Sequence, residues 1–437
     1  MKKLLSLVLA CLMFCSCASF AAAEEQVEIN VWSFTTELEG LLNDYYIPTH
    51  PNVKINYTMY PNDDSVFVNK LDPVLATDTA GAEAPDVWAL ESDWAKRYIE
   101  SDYTANLLDL GFTEDDFKVD IAATVDFGRD PSGTPKALSW QCTPGALFYR
   151  ASLAERYLGV TTPEEMQEKV ADWDAFMETA EELQEASQGE MKMFNSITDI
   201  LKPFLYQRQS AWVVDGKFVI DDAIIECMEL TKEANDKGLL NEGQAWGETW
   251  FAGMKTDITM CYFLPTWGMH YVLKPNSGGE AVGEGTFGDW RICKGPVGYS
   301  WGGTWLAANS AKVAQMSDAK KAAVKDLITM LTLDSDTLYA YAKASGDFVS
   351  NIAAIEKIVA EGGLPQELLS GQDNYAAFKG SALEINATTK TGYDLDIENI
   401  FQDSAFVPYS KGEKDLDTAL ADFKAQVAAA YPSLIIE

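Results

Sequence analysis

Two short runs near the start of the chain constrain its architecture more than anything after them. Val27, Ile29 and Val31 alternate with Glu28, Asn30 and Trp32, and Val53, Ile55, Tyr57 and Met59 alternate in the same way. A period of two predicts β-strands. Between them Leu38, Leu41, Leu42 and Tyr45 fall on one face of a helix, so the three elements read as a βαβ unit, whose strands must be parallel. The run Asp86-Val87-Trp88-Ala89-Leu90, after Ala84-Pro85, reads as the next parallel strand, buried on both faces.

The rest of the chain extends this pattern. Thr162-Pro163-Glu164-Glu165 puts a cap, a proline and a returning glutamate at a helix start. Trp173, Phe176, Ala180 and Leu183 line a helix face, Ser317 caps a helix bearing Val324, Leu327, Ile328 and Leu331, and Leu416, Leu420, Phe423 and Val427 mark a C-terminal helix. Strands alternating with helices predict an α/β fold. Residues 275–288, rich in Gly, Ser and Glu, read as a mobile insertion. Neither an internal repeat nor a Pro/Gly-rich hinge divides the chain, so two lobes would have to be discontinuous and joined by several short crossovers.

The N-terminus bears on the compartment. Lys2 and Lys3 precede an apolar run from Leu4 to about Cys17, and Ala21-Ala22-Ala23 offers a cleavage site before Glu24. This reads as a secretory signal peptide over residues 1–23, too short to span a membrane. Cys17 is an alternative acylation site, which would make the chain a lipoprotein. Removing Lys2 and Lys3 takes the net charge from −34 to −34 − 2 = −36, which repels nucleic acid and anionic membrane surfaces. Cys142, Cys227, Cys261 and Cys293 are widely spaced; no zinc site is expected, and disulfides are permitted without being required.

Three motifs suggest chemistry that their context denies. Gly298-Tyr299-Ser300-Trp301-Gly302 matches a hydrolase nucleophile elbow, but His50 and His270, the chain's two histidines, both precede Ser300, which breaks the order Ser, acid, His. Gly283-Glu284-Gly285-Thr286-Phe287-Gly288 matches a dinucleotide fingerprint, yet no buried strand leads into it. Asp394, Asp396 and Glu398 resemble the start of a calcium loop, but Asn399 stands where glycine is needed and Ala405 where glutamate is needed; a solvated acidic segment is the expectation. Neither an enzyme nor a cofactor is expected.

Tryptophan carries more information. Trp32, Trp88, Trp94, Trp140, Trp267, Trp301 and Trp305 lie mostly at strand ends. Ligands of open parallel sheets bind beyond the carboxyl ends of the strands. Indole faces can cover the apolar C–H faces of a sugar while Asp, Glu, Asn and Gln bond its hydroxyls. For Trp88 and Trp173, inside elements, a core role is the expectation.

Seven stretches in order then resemble the family 1 extracellular solute-binding proteins of sugar ABC importers, the maltose-binding-protein group. They are Ile29-Asn30-Val31-Trp32-Ser33-Phe34; Ala84-Pro85-Asp86-Val87; Pro135-Lys136-Ala137-Leu138 through Ala146-Leu147-Phe148-Tyr149-Arg150; Trp173-Asp174-Ala175-Phe176; Phe251-Ala252-Gly253-Met254-Lys255-Thr256; Pro265-Thr266-Trp267-Gly268; and Gly302-Gly303-Thr304-Trp305-Leu306-Ala307. The resemblance implies two lobes, each a mostly parallel sheet flanked by helices. It divides the chain into residues 24–139 with 304–348 and residues 144–298 with 354–437, crossing near residues 139–144, 298–304 and 347–351. The ligand-binding candidates it implies are Trp32, Ser33, Glu37, Glu91, Trp140, Gln141, Trp267, Trp301 and Gly303. The implied protein is an exported monomer, periplasmic or lipid-anchored, that captures a carbohydrate between its lobes and delivers it to a membrane permease. A binding protein for a cationic ligand such as a polyamine and an exported glycosidase are the alternatives.

Overall fold

The computed structural model describes residues 26–62 and 65–436; the signal peptide expected over residues 1–23 and the alternative acylation site Cys17 lie outside them. Twelve strands occur among the described residues: β1 Val27–Ser33, β2 Val53–Met59, β3 Val87–Glu91, β4 Ala137–Ser139, β5 Gly145–Arg150, β6 Val213–Val214, β7 Lys217–Phe218, β8 Cys261–Pro265, β9 Trp290–Cys293, β10 Thr304–Ala308, β11 Pro365–Gln366 and β12 Gln372–Asp373. The larger sheet runs in the order β2-β1-β3-β10-β4, and the second in the order β8-β5-β9. Helices pack around both, so the fold is α/β as expected.

Strand direction departs from expectation. β1 pairs in parallel with β2 and β3, but β10 is antiparallel to both β3 and β4. β5 is antiparallel to β8 and β9. The sheets are therefore mixed and antiparallel rather than mostly parallel. The reason lies in the connections: β10 enters its sheet from the far side after the chain has visited the second one, so it runs against β3.

The local signals act where they occur in sequence. The Thr162 hydroxyl accepts from the Glu165 N–H while the Glu165 carboxylate returns to the Thr162 N–H, which closes the capping box of Pro163–Lys169. Ser317 caps Asp318–Thr332, whose Val324, Leu327, Ile328 and Leu331 are buried. All four described cysteines are free and buried, small apolar fillers of the interior. Residues 275–288 are held at their C-terminal end: Phe287 is buried, and the Thr286 hydroxyl lies within hydrogen-bond reach of the Met254 and Ser277 carbonyls.

The chain passes between the sheets along residues 140–144 and 294–303. A third segment, 347–351, lies beside them. Cys142 N–H donates to the Phe348 carbonyl (3.0 Å), Ser350 N–H to the Trp140 carbonyl (3.1 Å), Trp301 N–H to the Thr143 carbonyl (3.1 Å) and Gly145 N–H to the Tyr299 carbonyl (2.7 Å). Gly145 has to be glycine there, because a Cβ would meet the Tyr299 ring at 1.9 Å.

Candidate functional site

The carboxyl ends of β1, β2, β3 and β4 all point toward the second sheet, and a cleft of about 1010 Å³ opens beyond them. That is at the upper end of the range of about 300–1,000 Å³ for small-molecule sites. Phe34 and Glu37 follow β1, Asn62 follows β2, Glu91 and Asp93 end β3 and begin the next helix, and Gln141 follows β4. The opposite wall comes from Lys202, Trp246, Trp267, Tyr271 and Glu398, with Trp301, Gly302 and Gly303 between.

Three indoles form one cluster on that opposite wall. The Trp246 and Trp267 rings lie nearly parallel at 6.2 Å, and Trp301 stands edge-on to both, at 5.9 Å and 5.7 Å. The Trp267 indole N–H donates to the Trp301 carbonyl at 2.8 Å. Left-handed backbone at Gly302 (φ 84) brings the chain this close, and a Cβ there would lie 2.6 Å from the Trp267 ring nitrogen. Trp246 is 48% exposed and itself sits at φ 68, a conformation that is costly for a bulky residue and that clusters at functional sites.

Carboxylates face the indoles. Glu91 accepts from the Ser92 hydroxyl (2.8 Å) and the Asp93 N–H (2.9 Å), capping its helix. Burial, helped by the charge of Asp93, pushes its carboxyl up to about 8. Glu37 accepts from the Gln141 side chain at 3.4 Å and is raised by burial; Asp347 is raised by burial and by the charge of Glu37. Lys202 stands 3.4 Å from Asp93 and 3.8 Å from Glu398. Burial opposes its charge, but the two carboxylates outweigh burial and hold its pKa above the ordinary lysine value.

Asp199 lies behind the aromatic wall. It accepts from the Trp250 indole (2.9 Å) and from the N–H groups of Asn195 and Ser196 (3.0 and 2.9 Å). Burial still lifts its carboxyl from 3.8 to about 6. A raised carboxyl binds its proton more tightly in the folded chain, so stability falls as pH rises from about 4 to about 6, by about 3 kcal/mol. In urea titrations the stability of the wild type relative to Asp199→Asn should decline by that amount across this window. A constant difference would show that folding leaves this carboxyl unshifted.

Six of the nine sequence candidates border the cleft: Glu37, Glu91, Gln141, Trp267, Trp301 and Gly303. Trp32, Ser33 and Trp140 do not. Trp32 is 7% exposed and packs edge-on to Tyr60, because alternation along β1 turns it onto the face of the sheet that meets Phe67 and Trp88. Ser33 is fully buried, and its hydroxyl accepts from the Thr35 N–H to start the following turn. Trp140 lies at the bend that follows β4 and packs into the main core, 0% exposed, while its neighbour Gln141 reaches the cleft. Trp88 and Trp173 are core residues, as expected. The acidic segment is corrected too: Asp394 is buried, bonded to Arg208 and 3.4 Å from Lys390, and Glu398 borders the cleft.

Sequence reasoning missed Lys202, Trp246, Tyr271 and Asp347. For Trp246 a signal existed: in an otherwise polar stretch it stands four residues before Trp250, whose ring lies 5.6 Å from its own.

A family model described as "Bacterial extracellular solute-binding protein" matches residues 46–361, well over half the chain. The chain belongs to this family. Its members are binding proteins rather than enzymes, and no described helix is long and apolar enough to cross a membrane. A search of curated proteins gave no match. Among solved structures the chain is similar to an "Extracellular solute-binding protein family 1" (TM-score 0.77, 20% identity, 92% of this chain and 99% of that one). It is also similar to the sugar-binding protein MalE of Xanthomonas citri (0.72, 15%, 92% and 97%). A third is the ABC-transporter-associated binding protein of B. animalis subsp. lactis Bl-04, solved with β-1,6-galactobiose (0.65, 19%, 94% and 99%). These likenesses establish the fold that this solute-binding protein shares.

Proposed function

We propose that this solute-binding protein takes a carbohydrate of oligosaccharide size into its cleft and hands it to the permease of an ABC importer. The observation that carries this reading is the Trp246, Trp267 and Trp301 cluster set against Glu37, Glu91 and Gln141. Flat indoles suit the C–H faces of sugar rings, and the polar rim suits their hydroxyls. Support also comes from structural neighbours described as sugar-binding or solved with a galactobiose. On this reading residues 24–139 with 304–348 and residues 144–298 with 354–437 form two lobes that close on the ligand. The protein acts as a monomer outside the cytoplasmic membrane, delivered by its leader.

Ligand bound only to the folded state raises stability by about 2.7 kcal/mol at 100 times its Kd. A thermal-shift panel of mono- to tetrasaccharides, polyamines and amino acids should therefore reveal at least one carbohydrate that raises the melting temperature in a concentration-dependent way. Stabilisation by polyamines or amino acids alone would reject the carbohydrate reading. Release of a cleaved sugar on incubation would instead establish a glycosidase.

A further inference from the structure

The charges around the cleft do not balance. Glu37, Glu91, Asp93, Asp199, Asp347 and Glu398 border it, against a single lysine, Lys202. That lysine serves one end, between Asp93 and Glu398. Asp199 is satisfied by the Trp250 indole and two backbone N–H groups, and Glu91 caps a helix.

Glu37 and Asp347 remain at the other end. Glu37 accepts from the Gln141 side chain at 3.4 Å and from the Tyr271 hydroxyl, both neutral donors. Asp347 accepts from the Phe348 N–H at 2.9 Å and from the Tyr341 hydroxyl at 3.4 Å. No lysine or arginine pairs with either carboxylate among the described residues. Burial lowers the pKa of the nearby His270 imidazole, disfavouring its charged form. Tyr271, 68% exposed, and Tyr341 place two aromatic rings around the pair.

Burial raises both carboxyls and the charge of Glu37 raises Asp347 further, to about 8, so the pair ionises fully in a cleft that loses water on ligand binding only beside a countercharge. A sugar hydroxyl can fill lone pairs, but it leaves the repulsion; an ammonium group removes both costs and gains from the tyrosine rings. We propose that the ligand presents a positively charged nitrogen to Glu37 and Asp347. Resting on the carbohydrate reading above, this makes the ligand an amino sugar, or an oligosaccharide that carries one, with its ring faces against the indole wall.

The test is calorimetric titration of the purified protein with matched pairs: glucosamine and glucose, galactosamine and galactose, and the β-1,4 glucosamine trimer and cellotriose, with spermidine as a non-sugar amine. At low salt at least one amino sugar should bind tenfold or more tighter than its neutral partner, a difference of about 1.4 kcal/mol, and the gap should narrow at high salt. In Glu37→Gln/Asp347→Asn, whose circular dichroism melt checks that it folds, the preference should disappear. A neutral sugar binding as tightly as its amino partner overturns the proposal, as does a preference that survives the double substitution or an absence of binding across the panel. Spermidine binding without any sugar supports the ammonium site and rejects the carbohydrate reading.

Discussion

Replacing Arg208 with methionine is expected to cost about 3–5 kcal/mol of folding stability, the range found when one partner of a buried ion pair is removed. The guanidinium is completely buried. It bonds the Asp394 carboxylate, donates to the Leu205 carbonyl (3.1 Å), lies 3.9 Å from Glu398 and sits over the Trp212 ring at 4.7 Å. Burial alone would push Asp394 up, but the Lys390 and Arg208 charges outweigh it and hold the carboxyl below its ordinary value. Methionine keeps much of the stem and removes the guanidinium, with its charge, its bond to the Leu205 carbonyl and its stacking on Trp212. What is lost is the partner of a buried carboxylate, with Lys390 at 3.4 Å as partial compensation. Urea unfolding measures the loss. In Arg208→Met/Asp394→Leu no carboxylate is stranded at this position, so much of the stability should return. A single variant within 1 kcal/mol of wild type would show that water reaches the site and solvates the pair.

Trp267→Ala is expected to weaken ligand binding by about 30- to 300-fold, or 2 to 3.5 kcal/mol, the size of effect that indole anchors carry in desolvated pockets. Its ring is the centre of the aromatic wall, touching Trp246 on one side and Trp301 on the other. Being only half-buried, it contributes less to the fold than to the cleft, so the variant should melt cooperatively. Trp267→Phe keeps a stacking face but loses the indole donor to the Trp301 carbonyl, and is expected to lose less than about tenfold. Calorimetry with the sugar found by thermal shift decides the matter. Unchanged affinity in the alanine variant would remove Trp267 from the binding surface.

How far such residues could be read from the sequence depended on whether their placement is local. The strands at Val27 and Val53, the Thr162 capping box and the apolar faces of the later helices are set by near neighbours in sequence. Glu37, Glu91 and Gln141 were legible because each lies at, or a few residues beyond, the end of a strand whose direction the βαβ pattern and the family resemblance imply. Trp32 and Trp140 lie in the core for a related reason: strand ends mark where a cleft lies, but alternation at Trp32 and the bend at Trp140 turn these side chains away from it. Lys202, Asp347 and Glu398 meet the cleft only through long-range packing, as in the 3.4 Å approach of Lys202 to Asp93. The buried pair of Arg208 and Asp394, 186 positions apart, likewise has no sequence signature, and Asp394 was read as solvated because its cations lie elsewhere in the chain.

The three segments that run side by side between the sheets impose a mechanical rule. Backbone hydrogen bonds join residues 140–145 to 299–301 on one side and to 348–350 on the other, so the segments form a small ribbon. Connections tied to one another in this way cannot shift independently, so closure of the two lobes proposed above has to carry all three segments together.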